Sequence, residues 1–340
     1  MIRLLLALSV SLVALSERSP AALHRYEAVE PHMGTLVRIT VYAPDEPTAA
    51  AAFRAAFHRI RDLDAVLSDY RPASELSQIT KSAIKRPMPV SDDLFAVLRA
   101  SQGLAHATDG AFDITQGPVI RLWREARQTA QLPDPAALKD AANRSGFRKL
   151  HLDTEHRTVT LDTRGMALDV GAIGKGYAAS EAIKVLDTLG VRSALVAVSG
   201  DLAFSDAPPN QRGWRIAMRS VDLPVDGVPL ALELTRAAVS TAGSSEQHVD
   251  IGGLRYSHII NPASGTALTE DTAVTVIARH GLDADGLDTA VSVLGAERGL
   301  ALIESTPGAA ALIVSRSRNG TTVRQSSEFV KLSAQHETPR

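Results

Sequence analysis

No cysteine occurs among the 340 residues, which excludes disulfides, thiolate metal sites, a thiol nucleophile and a lipid-bearing N-terminal cysteine. Aromatic residues make up only 4%, too few for a platform on which single-stranded bases would stack. Positive charge is not in surplus either: 36 Lys and Arg face 38 Asp and Glu, a formal charge of −2. Nucleic acid as the main partner needs a basic surplus to neutralise phosphate, so that class is excluded too. Beyond the first residues no segment approaches the ~20 apolar residues of a membrane span. There is no repeat of fixed period and no low-complexity linker. What remains is 45% hydrophobic and 22% charged, an ordinary globular composition long enough for one large domain or two packed lobes.

The N-terminus reads as a transport signal. Met1-Ile2-Arg3 is a positive start, residues 4–15 are apolar apart from Ser9 and Ser11, and Ala14-Leu15-Ser16 closes the run with small residues. The expectation is a signal peptide over residues 1–16, its cleavage point no later than about residue 22, and a periplasmic or secreted protein. A retained leader anchoring the chain in the inner membrane is the alternative, disfavoured because the run is short for a span.

From about Tyr26 the pattern predicts one domain over residues 26–331 and a loose polar tail at 332–340. A β-branched run at 36–42 predicts the first strand, and an Ala-rich stretch at 48–67, with Phe53, Phe57, Ile60 and Leu67 near helical spacing, predicts a helix. Residues 92–107 predict a second helix with Ser91 as its N-cap. Strand signals follow at 149–152 and 158–161, then at 166–170 leading into a glycine cluster. Residues 177–189 are helical and stop at Gly190, and a strand at 194–198 ends in Ser199-Gly200-Asp201. Further strands are expected at 214–218, 230–234, 239–241, 256–260, 274–278 and 311–315, with a helix over about 287–304. This interspersion predicts an α+β fold with mixed, largely antiparallel sheets and packed helices, not a regular parallel sheet.

Three constellations could carry chemistry. Asp169-Val170-Gly171-Ala172-Ile173-Gly174-Lys175-Gly176-Tyr177 lies between a strand signal and a helix, where glycines let backbone N–H groups approach an anion. It fits neither the P-loop nor the dinucleotide fingerprint, and a tight strand-to-helix turn explains it as well. Asp285, Asp288 and Thr289 fall at i, i+3 and i+4, one face of a helix. Two carboxylates so placed repel each other unless a hard cation such as Mg²⁺ sits between them. Alternatively, Asp285 is an N-cap and Asp288 a first-turn acid favoured by the helix dipole. His258, at a strand end before Asn261-Pro262-Ala263-Ser264-Gly265, is either a general base or a structural histidine. His248, Asp250 and His258 are too scattered for a zinc site, and Val198-Ser199-Gly200 lacks the flanks of a nucleophile elbow.

The segments taken together resemble the ApbE family, the FAD:protein FMN transferases, from Met33 to about Phe329. The matching pieces are Asp169 to Tyr177 (family pattern near D-L-G-G-I-A-K-G-Y), Ser257 to Gly265 (near S-H-I-I-D-P-x-T-G) and Ala284 to Ala290. Ser199-Gly200-Asp201 and Trp214-Arg215-Ile216 match shorter family segments. The resemblance implies a two-lobed fold with the flavin site between lobes. It also implies Mg²⁺-dependent cleavage of FAD, transfer of FMN to a Thr or Ser of an acceptor flavoprotein, and release of AMP. Family acceptors include Rnf and NADH:quinone reductase subunits and other exported flavoproteins. Carried over by motif, Asp285, Asp288, Thr289 and the Ala172 carbonyl would hold Mg²⁺. Met33, Tyr70, Ala111, Phe112, Asp113, Asp169, Lys175 and Ile260 would line the FAD site, and His258, or a neighbouring aspartate such as Asp285, would assist proton transfer. Asn261, Ser199 and Ser180 depart from the usual Asp, Gly and Asp, and no cysteine exists for a lipid anchor. The alternative function is an FAD-binding protein, or a Mg²⁺-dependent pyrophosphatase giving FMN and AMP without a protein acceptor.

Overall fold

The computed structural model describes residues 22–218, 231–243 and 248–334. The leader expected at 1–16, Leu230 of the strand expected at 230–234, and residues 335–340 of the tail lie outside the described residues.

A strand precedes the one expected first. β1 (His24–His32) turns through Met33-Gly34 into β2 (Thr35–Ala43). Both turn residues have positive φ, +51° and +72°, as a two-residue hairpin turn requires. β1 escapes a pattern search because it is an edge strand with an exposed, charged surface. Five helices and three short strands follow as α1 (Glu46–Leu67), α2 (Glu75–Ser82), β3 (Met88–Pro89), α3 (Asp92–Ala107), α4 (Gly117–Thr129), α5 (Pro135–Asn143), β4 (Leu150–Asp153) and β5 (Thr158–Leu161). Ser91 caps α3 as expected, accepting the Leu94 N–H. Residues 166–170 are buried but form only an isolated bridge, Ala167 to Gln116, not a strand.

Next come α6 (Gly174–Thr188), β6 (Ala194–Val198), β7 (Asp201–Phe204), β8 (Trp214–Ala217), β9 (Ala231–Leu234) and β10 (Ala237–Gly243). Two hairpins, β11 (His248–Ile251) with β12 (Leu254–Ser257) and β13 (Ile260–Asn261) with β14 (Thr266–Ala267), lead into β15 (Asp271–Ala278) and α7 (Gly281–Glu304). β16 (Ala310–Ser317), β17 (Gly320–Gln325) and α8 (Ser327–Ala334) end the described chain.

Every strand pairing among the described residues is antiparallel, apart from two isolated bridges, so the α+β expectation holds. The principal sheet runs β1-β2-β6-β7-β10-β15-β16-β17. Period-two alternation divides its side chains between two cores. Val274 and Val276 of β15 meet α1, α6 and α7 on one face. On the other, Ile277 packs with Phe204, Trp214 and Leu232 beneath the β8–β9 hairpin and Phe329 of α8. A third core joins α2, α3, β4 and β5 to Ile173 and Ala178 of α6. Arg59 of α1 ties the helices by a two-pronged ion pair to Asp93 of α3 (2.7 and 2.6 Å) and a third bond to Glu181 of α6 (2.6 Å).

α6 and α7 meet at a pair of glycines. A Cβ built on Gly176 would stand 2.0 Å from the Gly281 carbonyl oxygen and 2.8 Å from Asp285 Cβ, so only glycine permits this approach. The first N–H of α7, that of Gly281, donates to the Ser180 hydroxyl at 2.7 Å. Ser180 thus caps its neighbour helix where His280 offers no side-chain cap. α7 therefore starts six residues earlier than expected. Asp285 is not an N-cap but a second-turn residue, buried against α6.

The Gly176–Gly281 contact makes an opposed pair of substitutions informative. Gly176→Ala is expected to cost about 1–3 kcal/mol or more, because backbone must yield. Gly103→Ala, in α3 where an added Cβ meets nothing within 4 Å, should gain about 0.5–1 kcal/mol. Urea unfolding of both variants reads the two signs. A Gly176→Ala protein as stable as its parent would show that the helices are not held at this point.

Candidate active site

One cavity of about 280 Å³ gathers most of the residues singled out from the sequence. Ala111, Phe112, Asp113, Asp169, Ala172, Lys175, His258, Ile260, Asp285, Asp288 and Thr289 all line it. Met33 and Tyr70 do not. They border a separate depression with His32, Leu36 and Asp64, where the Tyr70 hydroxyl donates to Asp64 at 2.9 Å. The depression adjoins the glycine turn, since Met33 Cε stands 3.9 Å from the place of a Cβ on Gly174.

The floor of the cavity is acidic. The two-residue turn 199–200 joins β6 to β7 with Ser199 in the left-handed region (φ +58°), a conformation glycine takes without strain. That turn delivers Asp201, which the sequence reading matched to a family segment without assigning it a role. Asp201, Asp285 and Asp288 are all buried, with carboxylate oxygens within 4.8 Å of one another. Lys175 Nζ sits 2.6 Å from Asp201 Oδ2 and 3.5 Å from Asp285 Oδ1. The Gly176 N–H donates to Asp285 Oδ2 at 2.9 Å. The last glycine of the cluster thus serves a helix contact and a carboxylate, not an anion cradle. Gly176 N–H being so used, no backbone N–H among the described residues donates to the Ala172 carbonyl four residues before it.

Ser240 Oγ lies 2.5 Å from both Asp201 Oδ1 and Asp288 Oδ2. A hydroxyl has one proton to donate, so the second short contact needs a carboxyl proton. Burial, then the Asp285 and Asp201 charges, hold Asp288 well above its ordinary range and make it the proton holder. Burial and Asp201 push Asp285 up to about 7 against the pull of Lys175. For Lys175, burial works downward, but Asp285 and Asp201 outweigh it and hold the ammonium above its usual value. Once Asp288 gives up that proton, three carboxylates against one ammonium leave two negative charges, the complement of a divalent cation. The donors are hard oxygens, which suits Mg²⁺ better than softer metals, and Thr289 adds a hydroxyl on the same wall.

A second cluster fixes the glycine turn. Arg124 of α4 donates to Asp169 Oδ2 at 2.7 Å and pairs also with Asp69. Asp169 Oδ1 accepts the Gly171 N–H at 2.9 Å. Burial and the neighbouring Asp69 raise Asp169, with Arg124 opposing. Burial likewise raises Asp113, although the Thr115 hydroxyl and N–H and the Gln116 amide donate to it. Gln116 Oε1 is buried with no hydrogen-bond partner among the described residues. Tyr177, the last residue of the motif, faces away, its hydroxyl on Asp93 at 2.7 Å.

His258 enters from the bend between β12 and β13. That flap is pinned to α4: Trp123 Nε1 donates to the Gly265 carbonyl at 2.9 Å, and its ring lies against Tyr256. Asn261 Oδ1 accepts the Ala263 N–H at 3.0 Å, a turn bond that Asn and Asp make equally well. α4, which no sequence signal above predicts, contributes Ile120, Arg124 and Arg127 to the cavity wall, and Gln116 just before it does so too.

The chain was compared with known proteins. A profile described as the ApbE family matches residues 33–313. The FAD:protein FMN transferase of Treponema pallidum (strain Nichols) is 33% identical over 310 residues, 86% of this chain and 85% of that protein. The protein of the same name from Salmonella typhimurium is 29% identical over 302 residues, covering 87% and 86%. Among solved structures, the apo form of the flavinyl transferase ApbE of Pseudomonas stutzeri superposes with a TM-score of 0.80 at 30% identity, over 92% of this chain and 97% of that one. The flavin transferase ApbE of Vibrio cholerae gives 0.80 at 26% identity, over 91% and 99%.

The raised carboxyls set a pH dependence with a definite sign. Their folded-state values exceed the ordinary 3.8, so between about pH 4 and 7 the metal-free fold holds protons that the unfolded chain has released. The stability these groups contribute is full below pH 4 and is lost as the pH rises through their folded-state values, about 7 for Asp285. In chelator, the melting temperature of Asp288→Asn should therefore fall less from pH 5 to pH 8 than that of the parent, and at pH 8 it should be no lower. Added Mg²⁺ should stabilise the parent more at pH 8 than at pH 5. Identical pH slopes for parent and variant would refute the repulsion.

Proposed function

The chain belongs to the ApbE family, and on that footing we propose that it is a FAD:protein FMN transferase, cleaving FAD and joining FMN to a Thr or Ser hydroxyl of an acceptor flavoprotein. The observation that carries this reading is the buried set Asp201, Asp285 and Asp288 with a single Lys175, in a cavity that also holds His258. Asp285, Asp288, Thr289 and the Ala172 carbonyl would hold Mg²⁺, with Asp201 close by. The ion would supply charge neutralisation and polarisation at the diphosphate.

The residues themselves do the rest. Lys175 fixes Asp201 and Asp285, and Ser240 fixes Asp288. Asp169, clamped by Arg124, sets the glycine turn against the substrate, with Ala111, Phe112, Asp113 and Ile260 along the cavity and Met33 and Tyr70 in the adjoining depression. The acceptor oxygen forms a bond to the FMN phosphorus, the bond from that phosphorus to the AMP side breaks, and an imidazole nitrogen of His258 takes the hydroxyl proton. The leader-like residues 1–16 support an exported enzyme, with its acceptor among exported flavoproteins.

Incubating the protein with FAD, Mg²⁺ and candidate acceptors should give flavin fluorescence on the acceptor band and release AMP. AMP without a fluorescent band for any acceptor would indicate hydrolysis instead. His258→Ala should slow single-turnover transfer by ~10²–10⁴-fold with FAD affinity nearly unchanged, and an unaltered rate would remove His258 from the mechanism. Thr289→Val, which deletes one oxygen without changing charge, should raise the Mg²⁺ concentration needed for half-maximal rate.

A further inference from the structure

α4 presents two arginines to the cavity, and they are not equivalent. Arg124 is occupied by Asp69 and Asp169. Arg127, one turn further along the same wall, has a guanidinium that forms no hydrogen bond or ion pair among the described residues, although the residue is partly buried. Burial, and then repulsion by Arg124, make its charge less favourable than in water, and Asp169, already paired, compensates only from longer range. Such a cation costs the empty protein free energy that a bound anion would return. Lys175 does not meet this need, being held between Asp201 and Asp285.

The charge of the cavity floor points to the kind of anion. With a divalent cation bound and Asp288 ionised, the three floor carboxylates, Lys175 and the cation sum to zero, so they leave the charge of an incoming diphosphate unanswered. Arg127 is the cavity cation with no carboxylate on it, and a guanidinium matches the paired oxygens of a phosphate. We propose that Arg127 is a substrate-binding residue that takes a phosphate of the dinucleotide, an inference that rests on the transferase reading above.

The experiment compares FAD with riboflavin, which has the same ring system and no phosphate, titrated with Mg²⁺ into the parent, Arg127→Gln and Arg127→Lys. Arg127→Gln should bind FAD ~10–100-fold more weakly, the range of a lost charge-assisted contact, with riboflavin affinity unchanged. Arg127→Lys should recover part of the loss, and the salt dependence of FAD binding should flatten in Arg127→Gln. Having no protein partner to lose, the ligand-free Arg127→Gln protein should melt no lower than the parent. FAD affinity equal in parent and variant would overturn the proposal, as would equal losses for FAD and riboflavin. If the parent itself takes no FAD, the transferase reading falls instead. ADP titrated into parent and Arg127→Gln then decides for Arg127 alone: a weaker grip in the variant sustains the phosphate contact, and no difference ends it.

Discussion

Burying Asp201, Asp285 and Asp288 around one lysine sets the terms for everything near the cavity. Carboxylates taken out of water repel one another strongly and are tolerated only when hydrogen-bonded or neutralised. Each bond in the neighbourhood meets that demand: Gly176 N–H and Lys175 on Asp285, Lys175 and Ser240 on Asp201, and the Asp288 carboxyl on Ser240. The backbone donor is available only because α6 and α7 approach at two glycines, so a helix-packing detail and an electrostatic one are the same feature. A protein under selection for stability alone would place apolar groups there. The retained repulsion supports the reading of these three carboxylates as a cation site.

The cavity is assembled from parts of unequal rigidity. Its floor rests on the central strands β6, β7 and β10, which are packed on both sides, and on α7, which packs against one of those faces. Its roof, the β11–β14 region, is two short hairpins tied to α4 by Trp123 and a small apolar cluster. Groups that hold charge stand on the floor, whereas His258 stands on the roof.

Much of this was legible in the residues. The spacing of Asp285, Asp288 and Thr289 placed three oxygens on one face, and the helix bore that out, although its start lay earlier because Gly281 and Gly286 weaken the local signal. The strand at 194–198 and the capped helix at 92–107 carried their own periodicity and cap. Asp201 was hidden for a physical reason: its partners are 26 to 87 positions away, and no local pattern encodes a long-range cluster. Arg127 was hidden otherwise, since α4 was passed over despite Pro118 near its start and apolar Val119, Trp123 and Ala126 at helical spacing. β1 could not be read at all, because an exposed edge strand shows no buried alternation.

The dispersal of the floor has a consequence for how the protein comes into being. Lys175, Asp201, Ser240 and Asp285 sit on four elements that meet only through α6 docking on α7 and the completion of the central sheet, contacts of high sequence separation that form late. While the chain is nascent or unfolded its aspartates are ordinary solvated acids with no special appetite for metal. Competence is therefore a property of the finished tertiary structure alone, and a fragment or a stalled intermediate has no means of consuming a cellular flavin pool.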